Sequence, residues 1–133
     1  MRTIFLDTVG LLALWDESDQ WHAAAQAAYA DFANRRAALI TTSLVLAETA
    51  NPAARRPYRE TVVRLREQME PGGNVILPSV NDWDAAWKGY ARNEAAGAGL
   101  VDHLSFVIMR RFELTEAFTN DAHFRAAGFT TLF

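Results

Sequence analysis

The stretch Thr3-Ile4-Phe5-Leu6-Asp7-Thr8 indicates the fold class of this chain. Its apolar run predicts a buried strand over residues 2–6, and residues 8–15 predict a short apolar helix directly after it. Further strands are expected at 38–41, 75–77, 116–119 and 129–132. One further helix is expected to begin after an N-cap at Ser43 and to end at Asn51-Pro52. The other helices are expected at about 19–34, 57–69, 81–95, 101–112 and 121–126. Strands and helices that alternate at this spacing predict an α/β fold, in which helices cover both faces of a mainly parallel sheet of about five strands.

Length and composition limit the other possibilities. The chain has 133 residues, half of them apolar, which is enough for one domain over 1–133 with a single core. It has no cysteine, which excludes disulfides, thiolate metal sites and a cysteine nucleophile. No segment resembles a signal peptide or a transmembrane helix, so we expect a cytoplasmic protein without membrane contact. The net charge of −3 is unusual for a nucleic-acid-binding protein, but an acidic metal site would contribute several of these charges.

Four acids occur where strands give way to helices, namely Asp7, Glu48, Asp102 and Asp121. In a parallel sheet the ends of the strands and the starts of the following helices share one edge, where ligands usually bind. Clustered carboxylates repel one another unless a cation lies between them, so the pattern predicts a divalent-metal site suited to phosphodiester hydrolysis. Taken singly, each acid has an alternative role, because three of them could cap helices and Glu48 could be an ordinary exposed residue.

The motifs around these acids are Phe5-Leu6-Asp7-Thr8, Thr42-Ser-Leu-Val-Leu-Ala-Glu48, Leu100-Val-Asp102-His-Leu-Ser105 and Thr119-Asn-Asp121-Ala-His123-Phe124. In this order, and over essentially the whole chain, they resemble the PIN-domain ribonucleases, and more narrowly the VapC-type toxins of bacterial toxin–antitoxin pairs. The resemblance implies a three-layer α/β/α PIN-like fold and a Mg²⁺- or Mn²⁺-dependent endoribonuclease acting on RNA. It also implies a homodimer and a cognate antitoxin protein that holds the enzyme inactive.

The resemblance also assigns roles to individual residues. Asp7 and Asp102 are expected to bind the metal directly, and Glu48 and Asp121 directly or through water. Hydroxyl groups at three positions would orient these acids or contact phosphate: Thr8, Ser105 and Thr119. Glu94 stands eight residues before the third acid and would be an additional acid at the rim of the site.

Basic residues and histidines provide weaker signals. Arg110 and Arg111 follow the third acid by two helical turns and are expected to contact phosphate. Three other arginines fall near one helical face and fit either an RNA backbone or solvent: Arg55, Arg59 and Arg66. The three histidines are too scattered for a zinc motif and are expected to be solvated or to cap helices: His22, His103 and His123.

Other classes of protein fit the sequence less well. A receiver domain needs an acidic pair after its first strand and a lysine near its end, whereas Asp7 stands alone and Lys88 is the only lysine. An aspartate-based phosphatase needs Asp-x-Asp, but Asp7 is followed by Thr8-Val9. A catalytically silent PIN-type module that only binds RNA or protein is the remaining alternative. It would be favoured if one of the four acids were missing, and all four are present.

Overall fold

The computed structural model describes residues 2–133 and contains all the strands and helices that the sequence predicts. In chain order these are β1 (Thr3–Leu6), α1 (Thr8–Trp15), α2 (His22–Asn34), β2 (Ala38–Thr42), α3 (Ser43–Ala53), α4 (Arg59–Met69), β3 (Val75–Ile76), α5 (Val80–Ala91), α6 (Leu100–Arg111), β4 (Glu116–Phe118), α7 (Ala122–Ala126) and β5 (Thr130–Thr131). A single turn of 3₁₀ helix, Glu70–Gly72, follows α4.

The five strands form one sheet in the order β3-β2-β1-β4-β5, and every neighbouring pair is parallel. The first strand is therefore central, and its residues Ile4, Phe5 and Leu6 are fully buried. A continuous apolar run is typical of a strand covered on both faces by helices. The arrangement confirms the predicted three-layer α/β/α fold, with a sheet that is entirely parallel.

Aromatic side chains hold the last helices in place. Phe106 of α6 and Phe124 of α7 are fully buried, and their ring centroids lie 5.0 Å apart in an edge-to-face arrangement. Phe129, just before β5, contacts both rings. Edge-to-face aromatic pairs are favourable beyond the apolar area that they bury. Their packing fixes the start of α7 relative to α6, which matters because each of these helices begins near one of the four acids.

The first helix approaches the sheet very closely. A Cβ atom added at Gly10 would lie 2.0 Å from the carbonyl oxygen of Phe118, at the end of β4. Only glycine permits such an approach of helix to backbone. The close packing brings the start of α1, with Asp7, next to the residues that follow β4.

Two predictions about α3 were wrong. Its N-cap is Thr42, not Ser43, because the extended backbone of Thr42 lets its hydroxyl accept a hydrogen bond from the Val45 amide at 3.1 Å. The helix also continues past Asn51-Pro52 to Ala53. Pro52 lies in the last turn, where the missing N–H costs the helix one hydrogen bond and no later turn is disturbed.

The helices within residues 2–133 are short. The longest, α2, has 13 residues, and none of the described helices combines the length and apolar character needed to span a membrane.

Candidate active site

The structure brings the four predicted acids together at the carboxyl edge of the sheet. Asp7 follows the central strand β1, and Asp121 follows its neighbour β4 by three residues. Glu48 lies on α3, the helix that follows β2, and Asp102 lies in the first turn of α6. The negative charges of the other three acids all raise the pKa of Asp7.

Asp7 is the most buried of the four acids, with 2% of its surface exposed. Its burial raises the pKa of the carboxyl group to about 7, a hydrogen bond from the Thr119 hydroxyl opposes this rise, and the neighbouring acids add to it. As the N-cap of α1 it also accepts a long hydrogen bond of 3.4 Å from the Val9 amide. Within residues 2–133 no basic side chain forms an ion pair with it. A buried carboxylate without a countercharge is a site where a cation is strongly favoured.

Asp102 is held at the start of α6 by the backbone. One carboxylate oxygen, Oδ2, accepts a hydrogen bond of 3.3 Å from the Gly99 amide. Burial and then the charge of Asp121 raise its pKa to about 6, whereas the Gly99 hydrogen bond and the nearby His123 lower it. Asp102 is therefore a second acid whose environment disfavours the free carboxylate, and bound cations would reverse that preference.

Asp121 and His123 form a close pair at the start of α7. Oδ1 of Asp121 accepts a hydrogen bond from the His123 amide and lies 2.9 Å from His123 Nδ1. One donor atom from each of Asp102, Asp121 and His123 lies within 4.8 Å of the others. The prediction that His123 caps a helix or is solvated therefore missed its contact with the acids. Its position two residues after Asp121 was the available signal.

This set of donors fits a divalent cation. Carboxylate oxygens predominate, which is what Mg²⁺ and Mn²⁺ prefer. The burial of Asp7 without a countercharge is the independent observation that supports the fit.

The three predicted hydroxyl residues have different surroundings. Thr119 belongs to the site, because its hydroxyl contacts Asp7 and accepts a hydrogen bond of 3.1 Å from the Asp121 amide. The hydroxyl of Thr8 instead donates to the Val45 carbonyl at 3.3 Å and lies 3.1 Å from the Thr49 hydroxyl, so it joins α1 to α3. Ser105 is buried one turn after Asp102, and its hydroxyl has no hydrogen-bond partner within residues 2–133.

The structure does not bring Arg110, Arg111 or Glu94 together with the four acids. Eight residues of α6 separate Arg110 from Asp102, which is about 12 Å along a helix. Nη2 of Arg110 lies 2.7 Å from Glu94 Oε1, and this ion pair lowers the pKa of Glu94. Nη2 of Arg111 lies 3.0 Å from a carboxylate oxygen of the buried Asp82. The proposed contacts with phosphate therefore remain predictions, and all three side chains already have partners of opposite charge.

The other histidines and arginines lie outside the acidic group. His103 was expected to be solvated or capping, but only 3% of its surface is exposed. It packs between Tyr90 of α5 and Phe106, and this burial lowers its pKa. Arg66 forms an exposed ion pair with Glu70 four residues later, as the solvated alternative for the α4 arginines predicts.

This chain is similar to a known protein family and to a characterised bacterial protein. The family model described as "PIN domain" matches residues 4–130. A protein of Mycobacterium tuberculosis named "23S rRNA-specific endonuclease VapC20", found in strains CDC 1551 / Oshkosh and H37Rv, is 28% identical over 127 residues, which cover 95% of both chains.

Two solved structures are similar to this chain over nearly its whole length. The crystal structure of M. tuberculosis VapC20, described as a sarcin-ricin loop cleaving toxin, superposes with a TM-score of 0.77 at 26% identity and covers 96% of both chains. The structure of FitAcB from Neisseria gonorrhoeae gives a TM-score of 0.58 at 17% identity, covering 98% of this chain and 96% of that one. The second similarity concerns the fold alone.

Proposed function

Since this chain belongs to the PIN-domain family, we propose that it is a divalent-metal-dependent endoribonuclease and the toxin of a toxin–antitoxin pair. The resemblance to VapC-type toxins is confirmed by the matches to VapC20 in sequence and in structure. The observation that carries the proposal is the buried Asp7, which faces three other acids and has no countercharge among residues 2–133. A fold alone would not imply activity. Capping helices explains Asp7, Asp102 and Asp121 one by one, but it does not require four carboxylates side by side, whose mutual repulsion a bound cation would relieve.

The proposed chemistry assigns a task to each acid. Asp7 and Asp102 would bind the ion directly, and Glu48 and Asp121 directly or through water. A divalent ion at this position supplies a Lewis acid that activates water and neutralises charge on the phosphate. Thr119 would orient the site, because its hydroxyl contacts Asp7 and also holds the Asp121 amide. Because metal binding requires the carboxylate form, the raised pKa of Asp7 implies that binding of an ion near neutral pH would release protons from this site.

For the substrate, we propose a structured loop of 23S ribosomal RNA. This proposal comes from the printed name and description of VapC20, and it is supported by similarity over almost the full length of both chains. The acidic edge consists mainly of carboxylates, which suit a metal ion and the phosphate it would bind but do not distinguish one base from another. Selection of the RNA would therefore depend on the shape of the loop and on the protein surface around the site.

Cleavage of ribosomal RNA tests both parts of the proposal. Purified ribosomes and total RNA would be incubated with the protein and Mg²⁺ or Mn²⁺, with EDTA and with the D7N variant as controls, and the cut mapped by primer extension. We expect one main cut in 23S RNA that requires both metal and Asp7. Metal-dependent cutting elsewhere would refute the substrate proposal alone. Metal binding without cleavage of any RNA would support the silent binding module instead.

For the partners, we propose a cognate antitoxin and a homodimer. An apolar groove lies between α3 and α4, lined by side chains that include Leu46, Val62 and Val63, and it supports binding of a protein partner.

Trp87 and Tyr90 on α5 are about half exposed and would suit a surface that contacts a second copy of the chain. Light scattering after gel filtration should give twice the mass of one chain, and growth arrest by the toxin should depend on Asp7 and be relieved by its antitoxin.

A further inference from the structure

The group formed by Asp102, Asp121 and His123 has nearly the dimensions of one coordination shell. Ligands placed about 2.1 Å from an octahedral ion are roughly 3.0 Å apart when adjacent and about 4.2 Å apart when opposite. Nδ1 of His123 and Oδ1 of Asp121 are separated by 2.9 Å, and one donor atom from each of the three residues lies within 4.8 Å of the others. Small side-chain rotations would therefore bring all three donors onto one ion.

The backbone fixes the imidazole of His123 in this position. Asp121 is the N-cap of α7, and its hydrogen bond to the His123 amide holds the two residues together. The next residue, Phe124, is fully buried against Phe106 of α6, which anchors the turn. On its other side the ring lies beside Gly97, where an added Cβ would be 3.5 Å from Nε2. Nδ1 is therefore the nitrogen that faces the Asp121 carboxylate.

An ordinary capping pair is the simpler explanation for part of this geometry. In such a pair, the N–H group at Nδ1 of His123 donates a hydrogen bond to Asp121. That explanation accounts for the 2.9 Å contact, but it gives no reason for Asp102, on a different helix, to complete the group. A bound cation would take the place of the shared proton and would use all three donors.

From this geometry we propose that His123 is a metal ligand together with Asp102 and Asp121, and that it gives the site a preference for Mn²⁺ over Mg²⁺. The inference rests on the proposed function of the same site. Mg²⁺ binds oxygen ligands and retains its waters, whereas first-row transition ions accept an imidazole nitrogen more readily. A nitrogen ligand therefore increases the difference in affinity between the two ions beyond that of a purely carboxylate site.

Mn²⁺ binding measured by electron paramagnetic resonance tests the proposal without relying on activity. The wild-type protein should bind Mn²⁺ more tightly than Mg²⁺ in competition, and pulsed spectra should show coupling to an imidazole nitrogen. In the H123A variant this coupling should disappear, and the Mn²⁺ affinity should fall about tenfold or more while the Mg²⁺ affinity changes much less. The H123D variant should restore the Mn²⁺ affinity through an oxygen ligand, without the nitrogen coupling.

Matched controls separate the possible outcomes. The H22N variant removes a histidine that contacts the Ala13 carbonyl, outside the acidic group, and should leave both the affinities and the nitrogen coupling unchanged. Absence of nitrogen coupling in the wild type, or an unchanged ratio of affinities in H123A, would mean that His123 forms a capping pair only. If D7N still abolished Mn²⁺ binding and RNA cleavage in that case, the proposed function would stand and only this inference would fail.

Discussion

Replacing Asp7 by asparagine should stabilise the metal-free protein while abolishing metal-dependent RNA cleavage. The carboxyl group is buried among three other acids, and its ionisation is therefore unfavourable in the folded state. Asparagine has nearly the same shape, carries no charge, and caps helices as well as aspartate does. The substitution should thus remove the unfavourable charge and retain the local structure of α1.

The size and sign of the effect follow from the two pKa values of Asp7. The folded pKa is about 7, against an ordinary value of 3.8, so between these values the unfolded chain binds fewer protons than the folded one. The free energy of unfolding must therefore fall as the pH rises through this window. Above pH 7 the loss reaches about 4 kcal/mol, which is the ceiling for the gain in D7N at pH 8. In a chain of this length that corresponds to a rise in Tm on the order of 10 °C.

Urea or thermal unfolding of both proteins at pH 4 and pH 8, in EDTA, measures this gain. We expect nearly equal stability at pH 4 and a more stable variant at pH 8. Addition of Mn²⁺ at pH 8 should then stabilise the wild type and leave D7N unchanged, because only the wild type binds the ion. The D84N variant, which removes an exposed acid from α5, is the matched control and should show neither effect. A D7N protein that is less stable than the wild type at pH 8 would refute the reasoning.

Three further substitutions test other parts of the structure. G10A should lower the free energy of unfolding by about 2–3 kcal/mol, because the new methyl group would clash with the Phe118 carbonyl oxygen. Urea titrations measure this loss, and an unchanged midpoint would contradict the close approach of α1 to the end of β4. R111M should lower the free energy of unfolding by about 1 kcal/mol, because it leaves the buried Asp82 without its ion-pair partner. Slower RNA cleavage by the folded variant would support contact of Arg111 with phosphate, and an unchanged rate would exclude it. E48Q alters an exposed side chain and removes one of the charges that repel Asp7, so its Tm in EDTA should equal or slightly exceed that of the wild type. Its metal-dependent cleavage should fall about tenfold or more, and full activity would exclude a role for Glu48.

The elements of the fold were accessible from the sequence because each strand and helix has a strong local pattern. The run Thr3–Leu6 is apolar, and parallel topology then follows from the alternation of strands with helices. The same rule placed Asp7, Asp102 and Asp121 at one edge, since each follows a strand or begins a helix there. Glu48 lies in the second turn of α3, the helix that begins at this edge after β2. What the sequence could not give was the pKa of Asp7, because its burial depends on how α1 packs against β4.

The surroundings of the longer side chains were less predictable. Residues 102 and 123 are far apart in sequence, so no spacing rule indicates that His123 and Asp102 meet; their contact depends on how α6 packs against α7. Arg110 was expected near the acids because it shares a helix with Asp102, but the rise of that helix carries it to the opposite end. The burial of His103 depends on the packing of α5 against α6, which one helix alone does not reveal.

The order of strands in the sheet has a consequence for the synthesis of this protein. The central strand β1 is made first, yet one of its two neighbours, β4, comes more than a hundred residues later in the chain. Asp7 therefore leaves the ribosome long before Asp121, and the two can meet only after β4 has paired and α7 has formed. A nascent chain holds an incomplete set of acids throughout most of its translation. The full set of acids is therefore assembled only when nearly all of the described chain has emerged, so any activity at this edge would arise late in synthesis.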